Sequence, residues 1–549
     1  MLQRLDTTYP YQGVDIMATD AEIHYAARMR EIYDGFWKTG NTFYSSPKDQ
    51  PYMHPPFAEM IPAYIARVTG LHPASAFALF AGLCGAALFV AVLSALKSLT
   101  GRKWESLLAV CTLFFAGPLL GAPWDLFTII EGVGFYEPLR FTRPINPLWT
   151  ASWFFACISI TANWIRMPRG WHMPALIACI TVLVYSYVYA WSYIAATLGL
   201  LTLYFAYRGS WSRVLTLLLS AVIIGVLSIP YLLNLVEVLQ HPLYPESSMR
   251  MGLHHSREPV VGVWMLVALG LCLASSRLWK SNASLIICLL LGGIIAINQH
   301  VITGSHIVAH HYHWYFFHPI ASLLFLVAIL QMSSAFAPQR FIRIVGITVP
   351  IVVIVFGLRY QTLAYASVRD HWGRYQSLAP VLTELSVLTK TGDVVFSADV
   401  NVMDLVPIYT SADVYYSTNA NNYLVPDTHA RMTYFFQLWT QGVTAVEAKD
   451  TFFSTRRAEL SSAVHAIYYR EVLGSYAAIS DQEVSEHLDA YRSFLSLSEE
   501  EKLQLQPISF VVFTPYDQRS RAMNTLRARA EIVFEDSGFE IGRMRESSR

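Results

Sequence analysis

Charge of one sign is missing from this chain: 39 lysines and arginines balance 39 aspartates and glutamates over 549 residues. With no net field to attract a polyanion, nucleic acid is excluded as the expected partner. Cysteine is also scarce, and Cys84, Cys111, Cys157, Cys179, Cys272 and Cys288 all fall inside apolar segments, where they read as small core residues and not as disulfides or metal ligands. No glycine-rich phosphate loop, zinc spacing or hydrolase elbow occurs in the polar C-terminal third, and no internal repeat or low-complexity tract stands out. Charged residues make up only 14% of the chain. What fills the space is apolar: 54% hydrophobic, 14% aromatic, mean hydropathy +0.37. A chain this long and this apolar is expected to be a polytopic membrane protein.

Hydropathy places about ten spans, near residues 74–96, 105–121, 148–165, 173–187, 190–207, 213–233, 259–275, 284–298, 314–332 and 341–358. Alternate short loops then carry Lys97, Arg102, Lys103, Arg166, Arg169, Arg208, Arg213, Arg277, Lys280, Arg340 and Arg343, whereas the opposite loops carry only Arg140, Arg143, Arg250 and Arg257. The positive-inside rule therefore puts the N-terminal segment, the histidine-rich loop and the C-terminal region outside. This count depends on a turn within residues 173–207, since one long helix there would invert every later loop. Residues 1–73 hold no run long enough to span and no visible signal peptide. Within them, residues 57–68 form an amphipathic segment expected to lie along the outer interface. From residue 369 the composition becomes that of a soluble domain, with strand patterns near Val394, Val414, Ile508 and Ala530 and helical patterns such as residues 461–473 between them. Three regions result: 1–73, a transmembrane helical domain over 74–360, and an extramembrane α/β domain over 369–549.

Four outward stretches carry the chemistry. Residues 18–35 read A-T-D-A-E-I-H-Y-A-A-R-M-R-E-I-Y-D-G, with Thr19 and Glu22 in capping-box spacing and a helix stop at Gly35. Tyr25, Met29, Ile32 and Phe36 form an apolar stripe, while Asp20, His24 and Arg28 step along another face. The plain reading is that the acids merely cap the helix. The functional one makes Asp20 a general base, with Glu22 either its substitute or a second carboxylate that positions a substrate hydroxyl or a divalent ion. The second stretch, residues 122–147, contains Asp125, Glu131, Glu137, Arg140, Arg143 and Asn146. Its arginines either snorkel toward lipid headgroups or hold a phosphate by bidentate hydrogen bonds. The third is N-Q-H-V-I-T-G-S-H-I-V-A-H-H-Y-H-W, with His300, His306, His310, His311 and His313, and His318 just beyond. His306 and His310 stand four apart and could hold zinc if helical, but no third ligand is set by spacing; sugar or phosphate hydrogen bonding and simple interface packing are the other readings. No cofactor is called for, a divalent cation being the one open choice. The fourth, His254, His255 and Arg257 with Glu246 and Glu258, reads as a solvated rim.

The D-x-E motif in an outward loop of a many-span chain, followed by Y-x-x-R-x-x-E-I-Y-D-G and later by N-Q-x-V-I-T-G and H-Y, resembles the GT-C glycosyltransferase superfamily over roughly the first two thirds of the sequence. The resemblance implies a polyprenyl-phosphate-linked sugar donor, inversion at the sugar carbon, and catalysis by the loop carboxylate, here Asp20 or Glu22. His24, Arg28, Arg140, Arg143, His306, His310, His311 and His313 would then bind substrate. It also implies a bacterial cytoplasmic membrane with the site on its outer side, and a spanning helix directly before the motif; no such run precedes Asp20, which suggests a truncated or late-called start. N-linked oligosaccharyltransferases of this superfamily carry W-W-D-Y-G, whereas the nearest stretch here, from Asp370, is D-H-W-G-R-Y-Q. The acceptor expected is therefore an envelope glycan, a lipid or a protein hydroxyl. The opposing reading is a transporter or flippase of lipid-linked sugar or another anionic solute, which would place ionisable groups at mid-span. A polymerase or ligase outside GT-C would instead keep its main groups in a large later loop.

Overall fold

Uninterrupted apolar sequence folds as helix in lipid because every backbone amide must find its partner within its own segment. The computed structural model describes residues 6–15, 20–45, 48–117, 130–132, 143–251, 253–334, 339–464, 479–515, 517 and 520–545. Among these, five helices are long and apolar enough to cross a membrane: Pro73–Thr100, Pro144–Arg166, Val188–Tyr207, Ala309–Ser333 and Ile344–Gln376. Trp211–Leu227 and Ile229–Gln240 make a sixth if taken together, bent by 58° at Ser228 and Pro230. Leu215, Leu218, Leu219, Val222 and Val226 are exposed on that pair, as side chains facing acyl chains would be.

The count of about ten spans is thus met only in part. His172–Val184, Val263–Leu278 and Ala283–Ile297 are apolar helices of 13, 16 and 15 residues, shorter than a full crossing. Lys103–Phe115 is followed by residues outside the description. The turn expected within residues 173–207 is present: one helix stops at Val184 and the next starts at Val188. Gly292 and Gly293 let Ala283–Ile297 approach Val188–Tyr207 closely, since a Cβ on either would collide with Thr197 or Tyr193.

The final long helix, Gln339–Gln376, runs on into the polar C-terminal third, and D-H-W-G-R-Y-Q forms its last turns. Beyond it lies a five-stranded mixed sheet in the order Asp413–Val414, Val394–Ser397, Phe510–Phe513, Phe539–Met544 and Ala530–Asp536. The first three strands are parallel, Phe539–Met544 runs antiparallel to Phe510–Phe513, and Ala530–Asp536 runs antiparallel to Phe539–Met544. Four of these strands match the sequence patterns; Phe539–Met544 was not anticipated. The helical pattern over 461–473 falls partly on Arg457–Val464, and its remainder lies outside the described residues.

The first loop is stitched to this sheet. Val414 N donates to Phe43 O at 2.7 Å, which lays residues 41–45 along the edge strand. Tyr423 and Thr42 share a 2.8 Å hydrogen bond, and the Tyr409 hydroxyl accepts from Asp15 N at 2.9 Å. The sheet domain is also clamped from the membrane side by Arg250, which is fully buried and donates to Asp427, Val425 O and Ser247 Oγ. Replacing Arg250 by alanine leaves those three acceptors without their donor, so the stability of the detergent-solubilised protein to heat should fall by about 1.5–3 kcal/mol; an unchanged unfolding temperature would show that the clamp contributes nothing.

Candidate functional site

The motif helix spans Asp20–Asp34. Its capping residue Thr19 lies outside the described residues, as does the side chain of Asp20. Tyr25, Met29 and Ile32 are buried as the apolar stripe required. The other face, read from sequence as an outward ionisable surface, is buried too: Glu22, His24 and Arg28 are all below a tenth exposed. Two partners cover it, the amphipathic helix Phe57–Thr69 and the C-terminal region through Tyr423.

Arg28 is the anchor on that face. Its Nε lies 2.9 Å from Glu59 Oε1 and its Nη2 donates to His54 O at 2.7 Å. Both side chains of the Arg28–Glu59 pair are almost wholly buried, an arrangement that survives only because each charge answers the other. Arg28 therefore positions the helix. The imidazoles of His24 and His54 sit 5.9 Å apart, and burial first, then the Arg28 charge, holds His24 well below its usual range and takes His54 down to about 3. Both rings are neutral at neutral pH and can accept as well as donate. His24 Nδ1 lies 3.5 Å from the Tyr423 hydroxyl.

One residue along, Tyr25 turns toward the second stretch. Asn146 Nδ2 donates to its hydroxyl at 2.8 Å, and the Arg143 guanidinium lies 5.7 Å from the centre of its ring. Arg143 Nη1 in turn donates to Tyr315 Oη at 2.6 Å and stacks 5.8 Å from that ring. His311 continues the line: its ring centre is 5.4 Å from Tyr315, and its Nδ1 shares a 2.6 Å hydrogen bond with Tyr187. Three of the four stretches thus meet in one cluster of contacting side chains, Tyr25, Arg143, Tyr315, His311 and Tyr187, with a cation set among phenols. Such a guanidinium offers planar donors to a phosphate oxyanion.

Other expected residues lie elsewhere. Arg140, Asp125 and Glu137 fall outside the described residues. His306 pairs in a short strand with His254, and its ring is 4.9 Å from His300, which donates from Nε2 to Glu258 O at 2.7 Å. The fourth stretch is exposed at His255, Arg257 and Glu258, as a solvated rim would be, and is also bonded to the third; Arg257 Nη1 donates to Val301 O at 3.0 Å. Gly304, in the left-handed region, ends the helix Gln299–Thr303, so His306 is in strand and His310 in the helical turn Ala309–Tyr312. The one-face zinc geometry that a continuous helix would supply does not form. No group of three histidine, cysteine or acidic side chains comes together to hold a metal among the described residues. His310 is half-buried, and His313 packs 4.9 Å from Trp314 and 5.9 Å from His318.

Sequence reasoning passed over Glu59, His54, Tyr315 and Tyr423, and it reads Tyr187 as a packing or interface aromatic. A signal existed for two of them: Glu59 is a lone acid among apolar neighbours in an amphipathic helix, and Tyr315 stands one helical turn after His311. A second buried cluster was also missed. Lys48 Nζ lies 2.5 Å from Asp413 Oδ1 and 3.3 Å from Glu31 Oε2, tying the motif helix to the edge strand.

No protein-family model matches the chain and no curated protein matches it. Among solved structures the chain is similar to the crystal structure of ArnT from Cupriavidus metallidurans in the apo state, at 14% sequence identity and a TM-score of 0.47, covering 95% of this chain and 92% of that one. At that distance the chemistry has to come from the side chains of this chain.

Burial, opposed by Lys48, pushes Glu31 up to about 7 from an ordinary 4.5. The folded state therefore holds a proton that the unfolded state releases between those values, and the Glu31 contribution to stability falls as pH rises through about 4.5–7, then levels off. Glu31→Gln should flatten this slope, so that the variant gains on the wild type by at most roughly 3 kcal/mol between pH 5 and 7.5. Parallel unfolding curves across that range would remove the assignment.

Proposed function

We propose that this protein is an integral membrane glycosyltransferase that takes a sugar from a polyprenyl-phosphate donor and passes it to a hydroxyl of an envelope glycan, lipid or protein. The observation that carries the reading is the placement of Arg143 among Tyr25, Tyr315 and His311, directly beside the acidic motif helix. A half-buried cation with hydroxyl and imidazole neighbours, at the end of an apolar helix and in contact with the helix that carries the acidic motif, suits a lipid phosphate that gains charge as it leaves.

In the reaction the acceptor oxygen attacks the anomeric carbon while Asp20, or Glu22 in its place, takes the acceptor proton. The bond from the sugar to the phosphate oxygen breaks on the opposite side, so configuration inverts and polyprenyl phosphate departs as the anion. Arg143, with Tyr315 fixing its guanidinium, receives that anion, and Arg140 would add a second cation. His311, bonded to Tyr187, offers its remaining ring nitrogen to sugar or phosphate oxygen, and His24 does so beside the base. His306, His310 and His313 line the outward approach. Donor and acceptor meet on the outer face of a bacterial cytoplasmic membrane, with the C-terminal domain on the same side. No cofactor enters this scheme, and a divalent ion would have Asp20 and Glu22 for ligands.

Membranes carrying the wild type or a variant, given labelled polyprenyl-phosphate sugars and an envelope extract, supply the test. Asp20→Asn or Glu22→Gln should cut transfer by about 10²–10⁴-fold, whichever is the base, while the protein remains folded. Arg143→Ala should weaken donor binding by about 10–100-fold. If labelled lipid crossed the bilayer with no transfer by any form, the chain would be a transporter.

A further inference from the structure

Away from the Arg143 cluster, the C-terminal domain has a cleft of about 600 Å³. It opens at the carboxyl ends of two adjacent parallel strands, Val394–Ser397 and Phe510–Phe513. From the first strand the chain leaves through helix Val400–Tyr409 to the edge strand Asp413–Val414 on one side. It reaches the second strand, on the other side, only after the helices between Asp427 and Gln504. Strand order thus reverses between these two strands, and in open parallel sheets the loops part at such a point and leave a crevice for a ligand.

The walls are polar and held in place by their own hydrogen bonds. Asp399, just past the first strand, accepts from Asn401 N at 2.9 Å and from Asn401 Nδ2 at 2.7 Å, while Asn401 Oδ1 accepts from Tyr375 at 2.7 Å. Asp517, just past the second strand, accepts from Thr514 N at 2.6 Å and from Thr514 Oγ1 at 3.0 Å. Glu447 closes a capping box with Thr444, and Arg456 donates to Gln441 at 3.1 Å. Arg374 enters from the last turn of the long helix. The volume lies within the range of small-molecule sites.

Charge of both signs is interleaved here: two guanidinium groups, Arg374 and Arg456, against the carboxylates of Asp399, Glu447 and Asp517. A phosphate would meet three carboxylates, and a polyamine would meet two arginines. An uncharged polyol meets neither penalty, because each hydroxyl can donate to a carboxylate and accept from a guanidinium or amide. We infer that this cleft binds a short neutral saccharide, at a site distinct from the Arg143 cluster. No residue lining the cleft belongs to the Arg143 cluster, and helix Val400–Tyr409 runs from the cleft, at Asn401, to the first loop, where Tyr409 accepts from Asp15 N and stacks on His72. Ten helical residues put about 15 Å between them. The inference does not rest on sugar transfer.

The test is saturation-transfer NMR on the full-length protein in detergent, titrated with lactose, maltose, cellobiose and N-acetylglucosamine, with inorganic phosphate and spermidine as charged probes. At least one neutral sugar should bind saturably. Arg374→Ala, which removes an exposed side chain, and Asp517→Asn, which keeps its shape, should each weaken that binding about tenfold, whereas Asp20→Asn should leave it unchanged even with transfer lost. Failure of every neutral sugar to bind, equal binding by both cleft variants, or saturable binding of phosphate or spermidine in place of sugar would overturn the inference.

Discussion

The packing of the motif helix turns on one buried guanidinium. Arg28 lies on the motif helix with almost no solvent contact, between Glu59 and the backbone carbonyl of His54. Breaking such a pair by removing one partner leaves an unanswered charge in a poorly polarisable interior, at a cost of about 3–5 kcal/mol. The helix Phe57–Thr69 is therefore held in register with the motif helix. With that angle set, His24 faces Tyr423 of the C-terminal domain and Tyr25 faces Arg143 and Asn146.

A second constraint acts from the other end of the same helix. Lys48 sits between Glu31 and Asp413, so the first loop and the sheet edge share one ammonium between two carboxylates. Together with the backbone bond from Val414 to Phe43, this joins residues far apart in the chain into one cap over the apolar helices. Rigidity of this kind would serve the group transfer proposed above, where a misplaced reacting atom is costly in rate. The Arg143 cluster depends on the cap, since Tyr25 can meet Arg143 only if the motif helix is held down.

Much of the scaffold was legible in the sequence because hydropathy and charge act locally. The turn at residues 185–187 follows from the distribution of arginines and lysines, and four of five strands from runs of β-branched and aromatic residues. Span count was harder, since a hydropathy window finds an apolar run without measuring its helix; Ala283–Ile297 carries no charge yet is only 15 residues long. Phe539–Met544, reading F-E-I-G-R-M, hides its alternation behind a glycine. In the site, residue type and loop were visible but pairing was not. Arg143 could be named as a phosphate ligand, whereas its bond to Tyr315 joins residues 172 positions apart and has no local trace. The ionisable face of the motif helix was taken as solvent-facing because its covering partners, Glu59 and Tyr423, come from elsewhere in the chain.

The central claim is that the motif helix, the Arg143 segment and the histidine segment form one site for a lipid-linked sugar. The most direct measurement is photolabelling of the purified protein with a polyprenyl-phosphate sugar carrying a diazirine on the sugar, followed by peptide mapping. The account predicts adducts in both Asp20–Asp34 and the stretch from Ser305 to His318, competed away by unlabelled donor. Labelling confined to the lipid-facing pair Trp211–Leu227 and Ile229–Gln240 would contradict it.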